Sequence, residues 1–146
     1  MQTRPIPDGY HAVTPYLTVK EVPALIAFLK QAFGADVTEL ITLPNGSVNH
    51  AEARIRDSVI MMGEAPQDFK PMYAQLYLYA GDADAVYAQA IAAGGVSILE
   101  PHDEFYGDRV AAVKDPAGNT WWIATRVKTV PVDELQKLAA ERFQAK

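Results

Sequence analysis

The chain has 146 residues, the size of one ordinary domain, and 49% of them are hydrophobic. A folded chain of this length buries about 70% of its unfolded surface, which excludes intrinsic disorder. Thirteen Lys and Arg against eighteen Asp and Glu leave a formal charge of −5, the wrong balance for a protein that grips nucleic-acid phosphates.

Cysteine is absent, which removes disulfides, zinc–thiolate sites, iron–sulfur clusters and cysteine nucleophiles. The first residues contain no apolar run of the signal-peptide kind, and nowhere do about 18 apolar residues follow one another. These features predict a soluble cytoplasmic domain with neither a membrane nor a nucleic-acid partner.

Residues 12–19 alternate like a strand, with Leu17 and Val19 on one face and Thr14, Tyr16 and Thr18 on the other. Residues 22–33 have helical spacing, with Leu25, Ile26, Leu29 and Phe33 as the apolar stripe. Pro23 suits the first turn of that helix and Gly34 its stop. Strands are predicted over 37–43, 48–55 and 58–62, the first two joined at Pro44-Asn45-Gly46-Ser47. Residues 64–73, with Pro66, Asp68 and Pro71, read as a connection. A second series follows: strand 75–80, helix 82–93 stopped by Gly94-Gly95, then strands 96–99, 109–114 and 120–125. Residues 101–107 read as a long loop and Asp115-Pro116-Ala117-Gly118-Asn119 as a tight turn. A last helix over 131–144 serves packing or dimer contacts.

The two series are copies. At an offset of 61 residues, identity recurs at Tyr16/Tyr77, Leu17/Leu78, Ala24/Ala85, Ala27/Ala88, Ala32/Ala93, Gly34/Gly95 and Glu39/Glu100. The expected architecture is therefore α+β. Two tandem βαβββ modules, at about 10–64 and 75–126, are joined by a linker at about 65–74 and followed by the terminal helix, all in one domain.

This duplicated pattern, closing in Lys114-Asp115-Pro116-Ala117-Gly118-Asn119-Thr120-Trp121-Trp122, resembles the vicinal oxygen chelate superfamily of glyoxalase I, the bleomycin- and fosfomycin-resistance proteins and the extradiol dioxygenases. Thr14-Pro15-Tyr16-Leu17-Thr18-Val19, His50-Ala51-Glu52 and Phe105-Tyr106-Gly107-Asp108-Arg109 are most similar to its PhnB-like branch. The resemblance implies curved sheets around a cavity, helices on their convex side, and a homodimer. Strand alternation then turns Thr14, Tyr16, Gln75, Tyr77 and Tyr79 toward the cavity, with His50, Glu52 and Arg54.

Enzymes of the superfamily hold one divalent metal with His, Gln or Glu from four strands. Laid on this sequence, those positions fall on Thr14, Met61 (or Ile60 or Met62 with a one-residue shift), Gln75 and Trp122. Only Gln75 is a good donor for such an ion. The resemblance therefore implies neither metal nor other cofactor at the usual site, and it disfavours metal-dependent glyoxalase or dioxygenase chemistry.

The remaining candidates each carry two readings. His50 and Glu52 fit a general acid/base pair, or a polar cluster with Arg54. With His11 or His102 they would make a displaced metal site. Arg109 fits an anion anchor for a ligand, or an ion pair with Asp108 or Glu52. Tyr16, Tyr77, Tyr79, Tyr106, Trp122 and the Met61-Met62 pair fit the walls of an aromatic cavity, or ordinary core. Three functions follow in order of preference: a metal-free binder of a planar or aromatic small molecule, a metal-independent isomerase or lyase using His50 and Glu52, and a metal-dependent enzyme with displaced ligands.

Overall fold

The computed structural model describes residues 3–144. It contains two four-stranded sheets and three helices in the order β1 (Tyr16–Val19), α1 (Val22–Phe33), β2 (Asp36–Thr42), β3 (Val48–Ile55), β4 (Ser58–Glu64), β5 (Gln75–Tyr79), α2 (Ala83–Ala92), β6 (Val96–Asp103), β7 (Asp108–Lys114), β8 (Thr120–Arg126) and α3 (Val132–Phe143). The sheets run β1-β4-β3-β2 and β5-β8-β7-β6, the same order twice. In both, the first strand is parallel to the last, and the other pairings are antiparallel. The fold is the expected α+β pair of βαβββ modules.

The repeat extends to register. Tyr16 lies opposite Met61 and Tyr77 opposite Trp122, so both members of the pair move by the same 61 positions. Leu17–Met62 and Leu78–Ile123 repeat in the same way.

Helix α1 ends at Gly34, whose φ of 68° is a left-handed conformation that glycine adopts without a Cβ penalty. Helix α2 starts at Asp82, whose carboxylate accepts from the Ala85 N–H at 3.1 Å. The two helices pack on each other, and both modules feed one core. Leu17, Val19, Ala51, Ala53, Ile55 and Met62 enter it from the first sheet; Val113, Trp121 and Ile123 enter from the second. Phe33 of α1 packs on Trp121 of β8, with ring centroids 4.8 Å apart.

Because the helix-covered faces meet around this shared core, the opposite faces point away from it. Within one chain each sheet therefore presents its own open hollow. A groove of about 190 Å³ is lined by both modules, with Thr14, Val59 and Ile60 on one side and Leu76, Tyr77 and Trp121 on the other.

Three element boundaries depart from expectation by more than one residue. The first strand begins at Tyr16 rather than at residue 12, so Thr14 precedes the sheet. The break falls at Pro15, which has no N–H to give a ladder and contributes only its carbonyl, to Met61 N at 2.9 Å. Strand β6 continues through Pro101 to Asp103 where a loop was expected. It is an edge strand, where a missing N–H is tolerated, and register shifts accommodate the proline. Strand β4 runs on to Glu64, two residues past the expected end.

The turn after β7 is a buried polar clamp. Asp115 accepts from Ala117 N at 2.9 Å, Asn119 N at 3.0 Å, Asn119 Nδ2 at 3.1 Å and Trp121 Nε1 at 2.9 Å. Asn119 in turn accepts from Ala74 N at 3.0 Å, tying the linker to the sheet. Truncating Asp115 leaves several buried donors unpaired. Asp115→Ala is expected to lower the unfolding free energy by about 2–4 kcal/mol, read from urea denaturation followed by near-UV circular dichroism.

Candidate ligand-binding site

The hollow face of the first sheet carries a connected polar chain. Tyr16 of β1 is half exposed, and its hydroxyl lies 3.2 Å from His50 Nδ1. His50 Nε2 lies 2.8 Å from Glu52 Oε2. Tyr10, from the segment before β1, donates its hydroxyl to Glu52 Oε1. Alternation along β3 produces this set: Ala51, Ala53 and Ile55 are buried under the helix, which leaves His50, Glu52 and Arg54 on the other face.

Glu52 is itself buried. Burial alone would raise its pKa, but the hydrogen bonds it accepts from His50 and Tyr10 outweigh burial and hold it below the ordinary value. An ionised Glu52 accepts the Nε2–H of His50. That assignment of the tautomer leaves the Nδ1 lone pair facing the Tyr16 hydroxyl. The Tyr10 hydroxyl is pushed up, chiefly by its bond to Glu52, so it stays a donor.

Gly63 of β4 makes room for this arrangement. A Cβ there would sit 2.7 Å from the Tyr16 hydroxyl and 2.8 Å from the Asn49 carbonyl, closer than real side chains approach.

The corners where the resemblance places a metal do not form a donor set. Thr14 lies outside the strand, and Met61 faces Tyr16 across the ladder. Gln75, the one good donor, has its amide oxygen taken by Trp122 Nε1 at 2.9 Å. An indole N–H thus occupies the position of a fourth ligand, and these residues do not suit a divalent ion.

Neither histidine expected as a third donor for a displaced site joins His50 and Glu52. His102 binds Glu104 at 2.7 Å and the Glu100 carbonyl at 2.9 Å on β6, in the other module, and His11 is no member of the cluster. Glu39 of β2 is the residue beside His50 and Glu52: one ligand atom from each lies within 4.8 Å of the others. Glu39 faces Glu52 directly in the β2–β3 register.

The hollow face of the second sheet is built differently. Gln75, Tyr77 and Tyr79 of β5 share it with Trp122 of β8, since Leu76, Leu78, Trp121 and Ile123 turn toward the core. The Tyr77 hydroxyl donates to Asp108 Oδ2 at 2.7 Å and lies 3.5 Å from the Tyr106 hydroxyl. Burial, with the bonds to Tyr106 and Asp108, pushes the Tyr77 phenol far above its usual range, so it is a fixed donor. Tyr77, Tyr79 and Tyr106 wall an open hollow of about 470 Å³, closed on one side by Val130, Val132 and Leu135.

Arg109 is not in this hollow. On β7, Val113 joins the helix-side core and Asp108 meets Tyr77 on the hollow side, so Arg109, with the parity of Val113, points toward α2. There it makes a two-pronged pair with Asp84 at 2.7 and 3.1 Å and a third bond to Asp103 at 3.2 Å. The anion-anchor expectation is corrected accordingly, and so are the expected partners Asp108 and Glu52. The run Val110-Ala111-Ala112-Val113 is apolar on both faces, so it gives no alternation by which the parity of Arg109 could be read. Tyr10, Glu39, Asp108 and Arg126 are the site residues that sequence patterning missed.

The Glu52 shift has a sign that can be checked. Its pKa in the folded chain lies below the ordinary value of 4.5, so the ionised form favours folding. That contribution is fully present above about pH 4.5 and fades as pH falls through the lower folded value. Glu52→Gln should destabilise by about 1–3 kcal/mol at pH 7 and lose less on acidification than the wild type, measured by urea unfolding between pH 7 and pH 3.

Similarity to known proteins agrees with the geometry. The family model described as Glyoxalase/Bleomycin resistance protein/Dioxygenase superfamily matches residues 10–123. The chain is 28% identical over 136 residues to the uncharacterized protein Mb0911c of Mycobacterium bovis, covering 86% of this chain and 90% of that one. Among solved structures it is similar to TioX from Micromonospora sp. ML1, with a TM-score of 0.63 at 18% identity over 83% of this chain and 100% of that one. It is also similar to a PhnB protein from Bacillus cereus, with a TM-score of 0.60 at 14% identity over 79% and 99% of the two chains. At these identities the two structures speak for the fold.

Proposed function

The chain belongs to the Glyoxalase/Bleomycin resistance protein/Dioxygenase superfamily, and on that premise we propose that it is a metal-free small-molecule-binding protein whose ligand is planar or aromatic. One observation carries the reading. The single competent donor among the four corner residues, Gln75, is engaged by the indole N–H of Trp122. The groups around it are suited to stacking: Tyr77 and Tyr79 lie 5.2 Å apart at a 58° tilt, and Trp122 is opposite Tyr77 in register. A flat ligand resting there gains apolar contact with a few fixed polar groups at its ends, the usual composition of a small-molecule site.

A homodimer is part of the proposal. Tyr16, Ile41, Tyr77, Tyr79 and Ile98 are exposed apolar or aromatic residues on sheets whose hollow faces are open within one chain. A second copy covering these faces removes that surface from water. The net charge of −5 keeps nucleic acid out of the proposed partners, and a cytoplasmic location is carried with them.

The Tyr16–His50–Glu52 chain favours a second reading, a metal-independent isomerase or lyase. In it Glu52 fixes the imidazole, His50 Nδ1 accepts the phenolic proton, and Tyr16 is the half-exposed group that exchanges a proton with a ligand.

Two measurements test these readings. Elemental analysis of protein purified without chelator is expected to give far less than one divalent metal per chain; stoichiometric metal held in a hollow overturns the first reading. Once a thermal-shift screen over aromatic antibiotics and metabolites has supplied a ligand, His50→Gln and Tyr16→Phe separate binder from catalyst. A binder loses affinity by only a few-fold, whereas a catalyst loses turnover by roughly 100-fold or more.

A further inference from the structure

Building on the reading of this chain as a binder of aromatic small molecules, we propose that the hollow between the second sheet and α3 takes a small aromatic carboxylate anchored by Arg126.

Three observations converge on that residue. Arg126, the last residue of β8, lies opposite Asp108, the first of β7, and both line the hollow of about 470 Å³. Asp108 is 2% exposed at its side chain, while Arg126 is 57% exposed. The arginine Nε approaches Asp108 Oδ1 at 3.5 Å, and among the described residues no other carboxylate lies within ion-pair distance of it. The guanidinium is therefore oriented from behind by a buried acid, while its Nη1 and Nη2 edge keeps two parallel N–H donors for a ligand. That edge matches a carboxylate, which accepts two such bonds side by side.

Asp108 does not compete for a ligand's place. Its other oxygen is filled by the Tyr77 hydroxyl at 2.7 Å, so the acid acts as a positioning residue. Among the described residues no other charged side chain lines the hollow, which leaves the exposed cation facing Tyr77, Tyr79, Tyr106, Val132 and Leu135. Tyrosine faces and branched apolar groups accept an aromatic ring, and the cation accepts its acid group. The contrast with Arg109 is instructive. That guanidinium already makes three bonds to two aspartates, Asp84 and Asp103, away from the hollow.

The test uses three probes that share an indole ring: indole-3-carboxylate, its isosteric neutral carboxamide and cationic tryptamine, each titrated calorimetrically into the full chain. The wild type is expected to bind the carboxylate roughly 10- to 100-fold more tightly than the carboxamide, with the preference falling as salt rises. Arg126→Gln should abolish the preference and Arg109→Gln should keep it. Should Arg126→Gln fail to fold, the wild-type preference and its salt dependence still decide the matter. Equal or tighter binding of the carboxamide or tryptamine overturns the inference and leaves the broader binding reading standing, as does a preference that survives Arg126→Gln. Binding of none of the three overturns it as well, and the ligand screen then judges the proposed function by itself.

Discussion

When Leu17, Val19, Ala51, Ala53, Ile55 and Met62 go under α1, the two-residue period of a strand leaves Tyr16, His50, Glu52 and Met61 on the opposite face. The same rule acts on Leu76, Leu78, Trp121 and Ile123, and so on Gln75, Tyr77 and Trp122. Slippage by one residue would put His50 and Glu52 into an apolar core and bring leucines out to water. Each sheet is locked in register by what it buries, and the side chains available for chemistry are those that the lock turns outward.

How the modules meet decides what those side chains can reach. Because α1 and α2 touch and both sheets lean on them, the two hollows open in separate directions within one chain, with different equipment. The first holds a proton-bearing chain from Tyr10 through Glu52 and His50 to Tyr16. The second holds a fixed phenol, a buried acid and an oriented guanidinium under tyrosine walls. Burial contributes to both. It raises the Tyr77 phenol outright, whereas at Glu52 it is overcome by bonds that the charged carboxylate accepts.

Much of this was legible in the residues. The duplication, both hairpin-rich modules and the pairing of His50 with Glu52 follow from patterns in which one face is apolar and the other is not. Tyr16 and Tyr77 were legible for the same reason. Legibility ended where the alternation did. Strand β7 is apolar on both faces beyond Arg109, so its parity was open, and of the two readings of Arg109 the structure shows the ion pair, with Asp84 and Asp103 in place of the expected partners. Tyr10 comes from a segment with no period at all, and its approach to Glu52 depends on how the chain enters β1. Pro101 suggested a loop because an edge strand cannot be told from an interior one before the sheet order is known.

The strand register survived duplication while the side chains did not. Glu52 stands opposite Met61, yet the residue opposite Trp122, the counterpart of Met61, is Ala112. Two places earlier on each strand, His50 is matched by Val110. The backbone ladder carries no memory of which copy held the imidazole. Each half of this chain is thereby free to acquire or discard reactive groups without disturbing its twin, and a sequence drift confined to one half would rewrite one basin and spare the other.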